Sequence, residues 1–366
     1  MPQRPAQGLY DPRFEHDSCG FGLIAQLDDQ PSRAVVEGAL KALAGLNHRG
    51  AVAADGLSGD GCGLLIRRPH AWLQALAGES GLAGDPQLAA GLVFLGPSSD
   101  AAARAVATLE VCLRAQGVRL LGWRQPPIVA DACGAQARAS LPQVRQIFVA
   151  PPQQMGARRF EQALFMGRRD AERALADDPD FYVVSLSAHA VGFKGMTLPE
   201  HLPDLYPDLA RADLCSSAVT FHQRFSTNTA PQWRLAQPFR LLAHNGEINT
   251  IQGNRHWALA RRGLWQAPGV DLARLDPPVS LHGSDSQSLD EMLEILLAGG
   301  MDALQALRIM IPPAAHALEQ LNPDLAAFYE YYAMHTEPWD GPAGIVFAHG
   351  DYAGCLLDRN GLRPAR

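Results

Sequence analysis

The chain has 366 residues, of which 47% are hydrophobic and 19% are charged, and its formal net charge is −7. A chain this apolar can bury a sizeable core, and its low charge content excludes long disordered charged tracts. The acidic balance argues against nucleic acid or an anionic membrane as a main partner. The length predicts about two domains, or one large α/β or α+β domain.

The predicted elements begin after a polar leader at residues 1–18. A strand is expected over 19–26 and a helix over 32–46, where apolar residues recur on one face. Further strands are predicted at 64–67, 92–95, 144–149, 181–187, 216–225, 239–244, 345–348 and 353–357. A glycine-rich turn at 58–61 is expected to precede the strand at 64–67. Further helices are predicted at about 98–117, 157–175, 249–262, 286–299, 301–310 and 323–334. This irregular mixture predicts an α+β fold rather than strict βαβ alternation.

The helix predicted over 157–175 carries five arginines interleaved with acidic residues. That pattern is typical of a solvated face of mixed charge, and a basic docking patch is the alternative.

The sequence shows no sign of secretion or membrane insertion. Residues 1–17 lack the apolar core of a secretory signal, and the apolar runs are too short to cross a bilayer. The six cysteines are widely scattered and none forms a Cys-x-x-Cys motif, which is typical of reduced, buried thiols. We therefore expect a cytoplasmic protein with no membrane partner.

Cys19 opens an apolar strand directly after the polar leader. As an internal residue it is an ordinary buried thiol, which is the commonest role of a cysteine. If the bond between Ser18 and Cys19 is cut, the α-amine of Cys19, with a pKa of about 7.7–8.0, can act as general base for its own thiol. Position alone leaves both interpretations open.

A possible oxyanion hole follows the strand predicted over 239–244. A turn at Asn245 and Gly246 can aim a side-chain amide and a backbone N–H at one point, and an oxyanion hole needs two such donors. An ordinary Asn-Gly turn between a strand and a helix is the alternative.

Two charged residues offer contacts to a zwitterion. Arg224 lies near the end of a predicted strand and can bind a carboxylate through two hydrogen bonds, or form a structural salt bridge. Asp285 precedes an apolar helix and can bind an ammonium group, or cap the helix as its flanking serines can. A thiol, an oxyanion hole, a cation and an anion together suit hydrolysis of the side-chain amide of a free amino acid. Glutamine is the obvious candidate.

Short motifs spread along the chain resemble the large subunit of glutamate synthase, in the same order. They are Gly8–Pro12, Glu15–Gly20, Asn47–Ala51, Ser58–Gly61, Arg224–Thr229, His244–Asn249, Gly253–Arg255, Gly283–Ser286, Trp339–Ala343 and Asp358–Arg366. The chain departs from the family at Cys62, where a small residue such as alanine is common. We interpret Cys62 as structural.

The resemblance implies a class II glutamine amidotransferase domain over residues 19–366, preceded by a propeptide at 1–18. The implied fold is the N-terminal-nucleophile hydrolase type, a four-layer αββα sandwich of two antiparallel sheets. The implied catalytic residues are Cys19 as nucleophile, with Asn245 and Gly246 as the oxyanion hole. The implied substrate contacts are Arg224, Thr227 and Asn228 for the α-carboxylate and Asp285 for the α-amine, with Arg49 in support.

The resemblance also implies partners outside this chain. Ammonia from glutamine would pass to a synthase domain or subunit, and FMN and an iron–sulfur cluster are expected only in those missing domains. No cofactor is expected in this chain. No metal site is expected either, because neither His-Glu-x-x-His nor paired Cys/His spacing occurs. The electron donor of the full enzyme stays open.

Three alternatives remain at this point. One is the glutaminase domain of another class II amidotransferase, such as one that makes phosphoribosylamine. The long stretch between Arg49 and Arg224 favours glutamate synthase over it. The second is a conventional thiol hydrolase with a Cys–His pair, for which His222 and His244 are the nearest candidates. The third is a module that docks to a synthase without catalysis.

Overall fold

The structure is a computed structural model that describes residues 20–224, 230–314 and 322–363. The strands in these ranges are β1 (Phe21–Ala25), β2 (Ser58–Arg67), β3 (Ala89–Leu95), β4 (Arg119–Arg124), β5 (Gln143–Ala150), β6 (Tyr182–Val183), β7 (Ala190–Thr197), β8 (Ala218–Gln223), β9 (Leu242–Gly246), β10 (Ala343–His349) and β11 (Tyr352–Leu357). The α-helices are α1 (Arg33–Gly45), α2 (His70–Glu79), α3 (Ser99–Ala115), α4 (Ala135–Arg138), α5 (Ala157–Ala174), α6 (Leu202–Leu205), α7 (Ile251–Arg261), α8 (Asp285–Ala298), α9 (Ala303–Met310) and α10 (Pro323–Ala333).

The named strands pair antiparallel throughout the described ranges. They form three hydrogen-bonded sheets with the orders β1-β8-β2-β7, β11-β10-β9 and β4-β5-β3-β6. The α+β class with antiparallel sheets is confirmed. Where two sheets were expected, the third sheet comes from β3 to β6, which bond to one another and are covered by α3 and α5.

The first two sheets stack face to face with helices outside them. Side chains alternate across a strand, so Val219 and Phe221 of β8 pack with α1, while Thr220 and His222 face the other way. On that other side β8 contacts β9 and β10, and α8 covers β9. The order is helix, sheet, sheet, helix, which is the four-layer arrangement that the family resemblance implies.

The strand register brings four strand termini to one end of this stack. Phe21 at the start of β1 pairs with His222 near the end of β8. Gly246 at the end of β9 pairs with Ala343 at the start of β10. Residues that follow β8 and β9, or precede β1 and β10, therefore meet at the same place.

Several predicted strands differ in length from the observed ones, and some elements were not predicted. β2 begins at Ser58, so the glycine-rich run 58–61 belongs to a strand and not to a turn before it. A register shift between Ser58 and Cys62 accommodates Gly61, whose φ is +116°. The predicted strand over 181–187 reduces to β6, and β4, β7 and α2 were not predicted.

The prediction of a solvated face on α5 is wrong at Arg168. This side chain is only 2% exposed, and its guanidinium bonds Glu172 at 2.7 Å and Glu294 at 2.6 Å. Glu172 also accepts a hydrogen bond from Arg240 at 3.0 Å. Burial raises the pKa of Glu172, but the charges of Arg168 and Arg240 outweigh it and lower that pKa to about 2. Helix α5 therefore contributes a buried ion network to the core.

Glu172→Gln is expected to lower the free energy of unfolding by about 3 kcal/mol, because removing one partner leaves buried charge uncompensated. Glu37→Gln is the matched control, since Glu37 forms an exposed i,i+4 pair with Arg33. That variant should lose no more than about 0.5 kcal/mol. Denaturant unfolding at pH 7 measures both, and equal losses would contradict the buried network.

Candidate active site

A cavity of about 180 Å³ opens at the end of the stack where β8 and β9 terminate. Its wall contains four predicted site residues, Arg49, Arg224, Asn245 and Gly246. Three other predicted residues, Cys19, Thr227 and Asn228, lie outside the described residues.

Gly20, which follows Cys19 in the chain, forms part of the cavity wall. Its carbonyl oxygen accepts the backbone N–H of Gln223 at 2.6 Å. A Cβ atom at Gly20 would lie 3.5 Å from Nδ2 of Asn245. The backbone next to Cys19 is therefore fixed beside the predicted oxyanion donor.

Asn245 and Gly246 end β9 at the cavity, opposite Gly344 and Ala343 of β10. Gly246 has a φ of +148°, and a Cβ atom there would overlap the carbonyl oxygen of Pro342. Only glycine fits this close approach of two backbones. Sequence inspection had left an ordinary turn open, but the structure places both residues at the end of a paired strand.

Arg224 follows β8 in a strained conformation, with a φ of +88°. Its N–H donates to the carbonyl of Gly61 at 2.7 Å, and its Nε lies 3.8 Å from Oδ2 of Asp60. The side chain is 48% exposed. This long contact leaves guanidinium donors available for a ligand carboxylate. Strain of this kind in a non-glycine residue is typical of functional sites.

Asp60 lies buried beneath Arg224 and was not predicted as a site residue. Burial raises the pKa of its carboxyl group, although Arg224 opposes that shift. The only sequence signal was the motif at 58–61, which we had interpreted as a turn.

Buried polar atoms without a hydrogen-bond partner are concentrated around this cavity. Among the described residues they include Nε of Arg49, Oδ1 of Asp60, Nδ1 of His222, Nε2 of His244 and both amide atoms of Gln223. Each such atom costs about 1–3 kcal/mol when it stays unsatisfied. A cluster of them is typical of a site that a polar ligand or ordered water completes.

The two histidines in the cavity wall, His222 and His244, are buried, and burial lowers the pKa of both. Burial lowers the pKa of His222 to about 3, and His244 adds to that shift. Burial also lowers the pKa of His244, whose Nδ1 lies 2.8 Å from Oγ of Ser286. A lowered pKa makes an imidazole a weaker general base near pH 7, which argues against a Cys–His pair here.

Asp285 is the first residue of α8, but Ser284 is the N-cap, since its hydroxyl accepts from the N–H of Gln287. Oδ2 of Asp285 accepts the N–H of Ile248 at 2.9 Å and lies 3.9 Å from Nδ1 of His244. The cavity wall contains Ser286 rather than Asp285. Asp285 is therefore placed just behind the wall, beside the turn that follows β9.

Other sequence expectations concern cysteines and membranes. Cys62 is fully buried, with Sγ 3.5 Å from the carbonyl of Thr197, and burial raises the pKa of its thiol. Within the described ranges, His, Cys, Asp and Glu residues form no group able to hold a metal ion. The helices in those ranges include none with the length and hydropathy to traverse a bilayer.

Comparison with known proteins found one matching family model and several relatives. The model, described as glutamine amidotransferases class-II, matches residues 19–366. The large chain of NADPH glutamate synthase from Azospirillum brasilense is 41% identical over 364 residues, which cover 98% of this chain and 24% of that protein. The Bacillus subtilis large chain is 37% identical over 370 residues, which cover 100% of this chain and 24% of that protein.

A plant relative has a similar identity and a similar coverage. Ferredoxin-dependent glutamate synthase 1 from Arabidopsis thaliana is 38% identical over 371 residues, which cover 98% of this chain and 23% of that protein. The chain thus spans about a quarter of the length of the relatives that it matches.

Proposed function

Because the chain belongs to the class-II glutamine amidotransferases, we propose that it hydrolyses glutamine to glutamate and ammonia. One observation carries the proposal: a single cavity joins Gly20, the neighbour of Cys19, to Asn245, Gly246 and Arg224. The unpartnered polar atoms around that cavity suit a small, polar substrate.

The proposed nucleophile is the thiol of Cys19, freed at the N-terminus by removal of residues 1–18. Its α-amine takes the thiol proton, and the sulfur attacks the side-chain carbonyl carbon of glutamine. The negative oxygen of the tetrahedral intermediate accepts hydrogen bonds from Asn245 and Gly246. Ammonia leaves with the transferred proton, and water then attacks the thioester to release glutamate and restore the thiol.

The rest of the substrate is a zwitterion, and the proposed contacts divide by charge. Arg224 binds the α-carboxylate with help from Thr227 and Asn228, and Asp285 attracts the α-amino group from behind the wall. Arg49 contributes positive charge near the nucleophile. These are proposals for a substrate whose two charges must both be paired when they are desolvated.

Arg224→Ala and Asp285→Asn are expected to raise KM for glutamine at least 10-fold, because each leaves one substrate charge without its partner. Steady-state kinetics should place the larger change in KM rather than in kcat. Arg145→Ala is a control, because Arg145 lies on β5, in a sheet that contributes no residue to the cavity wall. An unchanged KM in both site variants would contradict the binding roles.

Ammonia is proposed to pass to a synthase domain or subunit, because the relatives are named glutamate synthases and extend well beyond this chain. The described residues include no cluster of ligands that fits an iron–sulfur cluster. That FMN and iron–sulfur chemistry belong to the synthase part is a proposal that rests on the family resemblance. The scattered cysteines favour the cytoplasm as the site of the reaction.

The test supplies the processed chain with glutamine, 2-oxoglutarate and a reduced nicotinamide. One glutamate and one ammonia per glutamine, with no nicotinamide oxidation, are expected. Nicotinamide oxidation that depends on 2-oxoglutarate would contradict the assignment of redox chemistry to other domains. A chain that begins at Cys19 yet releases no ammonia would favour a docking module over a glutaminase.

A further inference from the structure

Gln237 makes an unusual contact with the edge of β9. This strand pairs with β10 along one edge only, since the sheet order is β11-β10-β9. On the other edge, Oε1 of Gln237 accepts the N–H of His244 at 2.8 Å, and Nε2 donates to the carbonyl of His244 at 3.1 Å. One side-chain amide thereby binds both backbone groups of one residue, as a neighbouring strand would.

The bound residue directly precedes the predicted oxyanion donors. Asn245 pairs with Gly344 of β10 on one side. Immediately before it, His244 is bound by Gln237 on the opposite side. The end of β9 is therefore fixed along both edges at the point where it enters the cavity.

Gln237 also connects this strand to the neighbouring elements. Its Nε2 lies 3.3 Å from Oγ of Ser286 at the start of α8. Its backbone packs against β2, because a Cβ atom at Gly63 would lie 2.7 Å from the carbonyl oxygen of Gln237. β2 pairs with β8, which leads into Arg224. Gln237 thus links the strand of the oxyanion donors to the sheet that carries the proposed carboxylate contact.

We propose that Gln237 is a positioning residue, which holds the end of β9 so that Asn245 and Gly246 point at the developing oxyanion. The inference rests on the glutaminase function proposed above. Gln237 itself lies in the cavity wall, but both groups of its side-chain amide bind the backbone of His244, so it acts through that residue and need not touch the substrate. Its effect is accordingly expected in the rate of the chemical step, because small displacements of a donor weaken transition-state stabilisation.

Glutamine suits this role because its amide offers a donor and an acceptor side by side in the same plane. Gln237 is 2% exposed, so water cannot replace either bond easily. Methionine has similar volume and lacks both groups. Glutamate keeps the shape, and burial would favour its protonated form, which still has both a donor and an acceptor.

The first test measures kcat and KM for glutamine in Gln237→Met, using the processed chain. A fall in kcat of about 10-fold, with KM within about 2-fold of the parent, is expected. Gln237→Leu also lacks both groups, so it should likewise lower kcat and leave KM nearly unchanged, and it provides a second variant if the methionine variant does not fold. Gln162→Met is the matched control, since Gln162 is also buried and donates to a backbone carbonyl, that of Ala298 at 2.7 Å. It should keep the parent kcat.

The second test is a double-mutant cycle with Asn245→Ala. If Gln237 acts by placing Asn245, most of its effect on kcat should disappear once the Asn245 amide is absent. An equal fall in kcat in both backgrounds would show a general structural role and overturn the inference. A folded Gln237→Met variant with the parent kcat would overturn it too.

Failure of the glutaminase function looks different from failure of this inference. In the first case the parent chain itself releases no ammonia from glutamine. In the second, the parent is active and Asn245→Ala is impaired, while the Gln237 variants match the parent.

Discussion

Cys19→Ala is expected to reduce glutamine hydrolysis to background, because the variant has no nucleophile to form the thioester. Residual catalysis by the oxyanion donors alone is small when the attacking group is missing. The fold should persist, since Gly20 and the strand that follows it are held by backbone bonds to β8. Ammonia release at saturating glutamine measures the loss, and thermal unfolding checks the fold.

Cys133→Ala is the matched control for this variant. Cys133 is buried, its Sγ lies 3.1 Å from the carbonyl of Ala130, and burial raises the pKa of its thiol. Removing that thiol should leave the rate unchanged. Activity in Cys19→Ala comparable to the parent would contradict the proposed nucleophile, whatever the state of the other cysteines.

The proposed mechanism also predicts that the leader is inhibitory. While residues 1–18 are attached, the nitrogen of Cys19 belongs to an amide and has no basicity near neutral pH. A chain that begins at Met1 by intact mass should therefore show negligible activity, and one that begins at Cys19 should be active. Full activity of the chain that begins at Met1 would contradict the role of the free amine.

Local sequence signals located several elements well. Ser32 and Ser98 cap α1 and α3 through bonds to nearby backbone N–H groups, and Gly117 follows α3 with a φ of +81°. Such signals depend on a few consecutive residues, so they can be found without tertiary information. The unpredicted strand β7 instead contains two glycines and a lysine, and its strand conformation depends on pairing with β2.

Long-range contacts explain what the sequence did not reveal about the core and the site. Arg168 looked solvated because its neighbours on α5 are charged, but one of its partners, Glu294, is 126 positions away. The contact of Gln237 with His244 is short-range in sequence, yet it requires the edge of β9 to be free. No periodicity or motif encodes that condition. Arg224, Asn245 and Gly246 were singled out because each lies at or next to the end of a predicted strand. The structure places all three in one cavity wall, and their roles stay predictions.

Asn245→Ala is expected to lower kcat for glutamine by about 10²–10³, a loss of roughly 2.7–4 kcal/mol of transition-state stabilisation. The amide of Asn245 should matter more to the charged oxygen of the intermediate than to the neutral carbonyl of the substrate. KM should therefore change little, in contrast to the Arg224 variant. Steady-state kinetics on the processed chain separate the two effects.

Asn245 is the better of the two proposed oxyanion donors to test. Gly246 donates through its backbone, and any side chain there would overlap the carbonyl oxygen of Pro342, so a substitution would disturb the strand as well. Asn254→Ala is a suitable control, because Asn254 is fully buried and donates to the carbonyl of Pro338. It should lose stability and keep the parent kcat. If Asn245→Ala kept the parent kcat, other donors would have to stabilise the oxyanion. Gln237 would then have no role in placing the Asn245 amide.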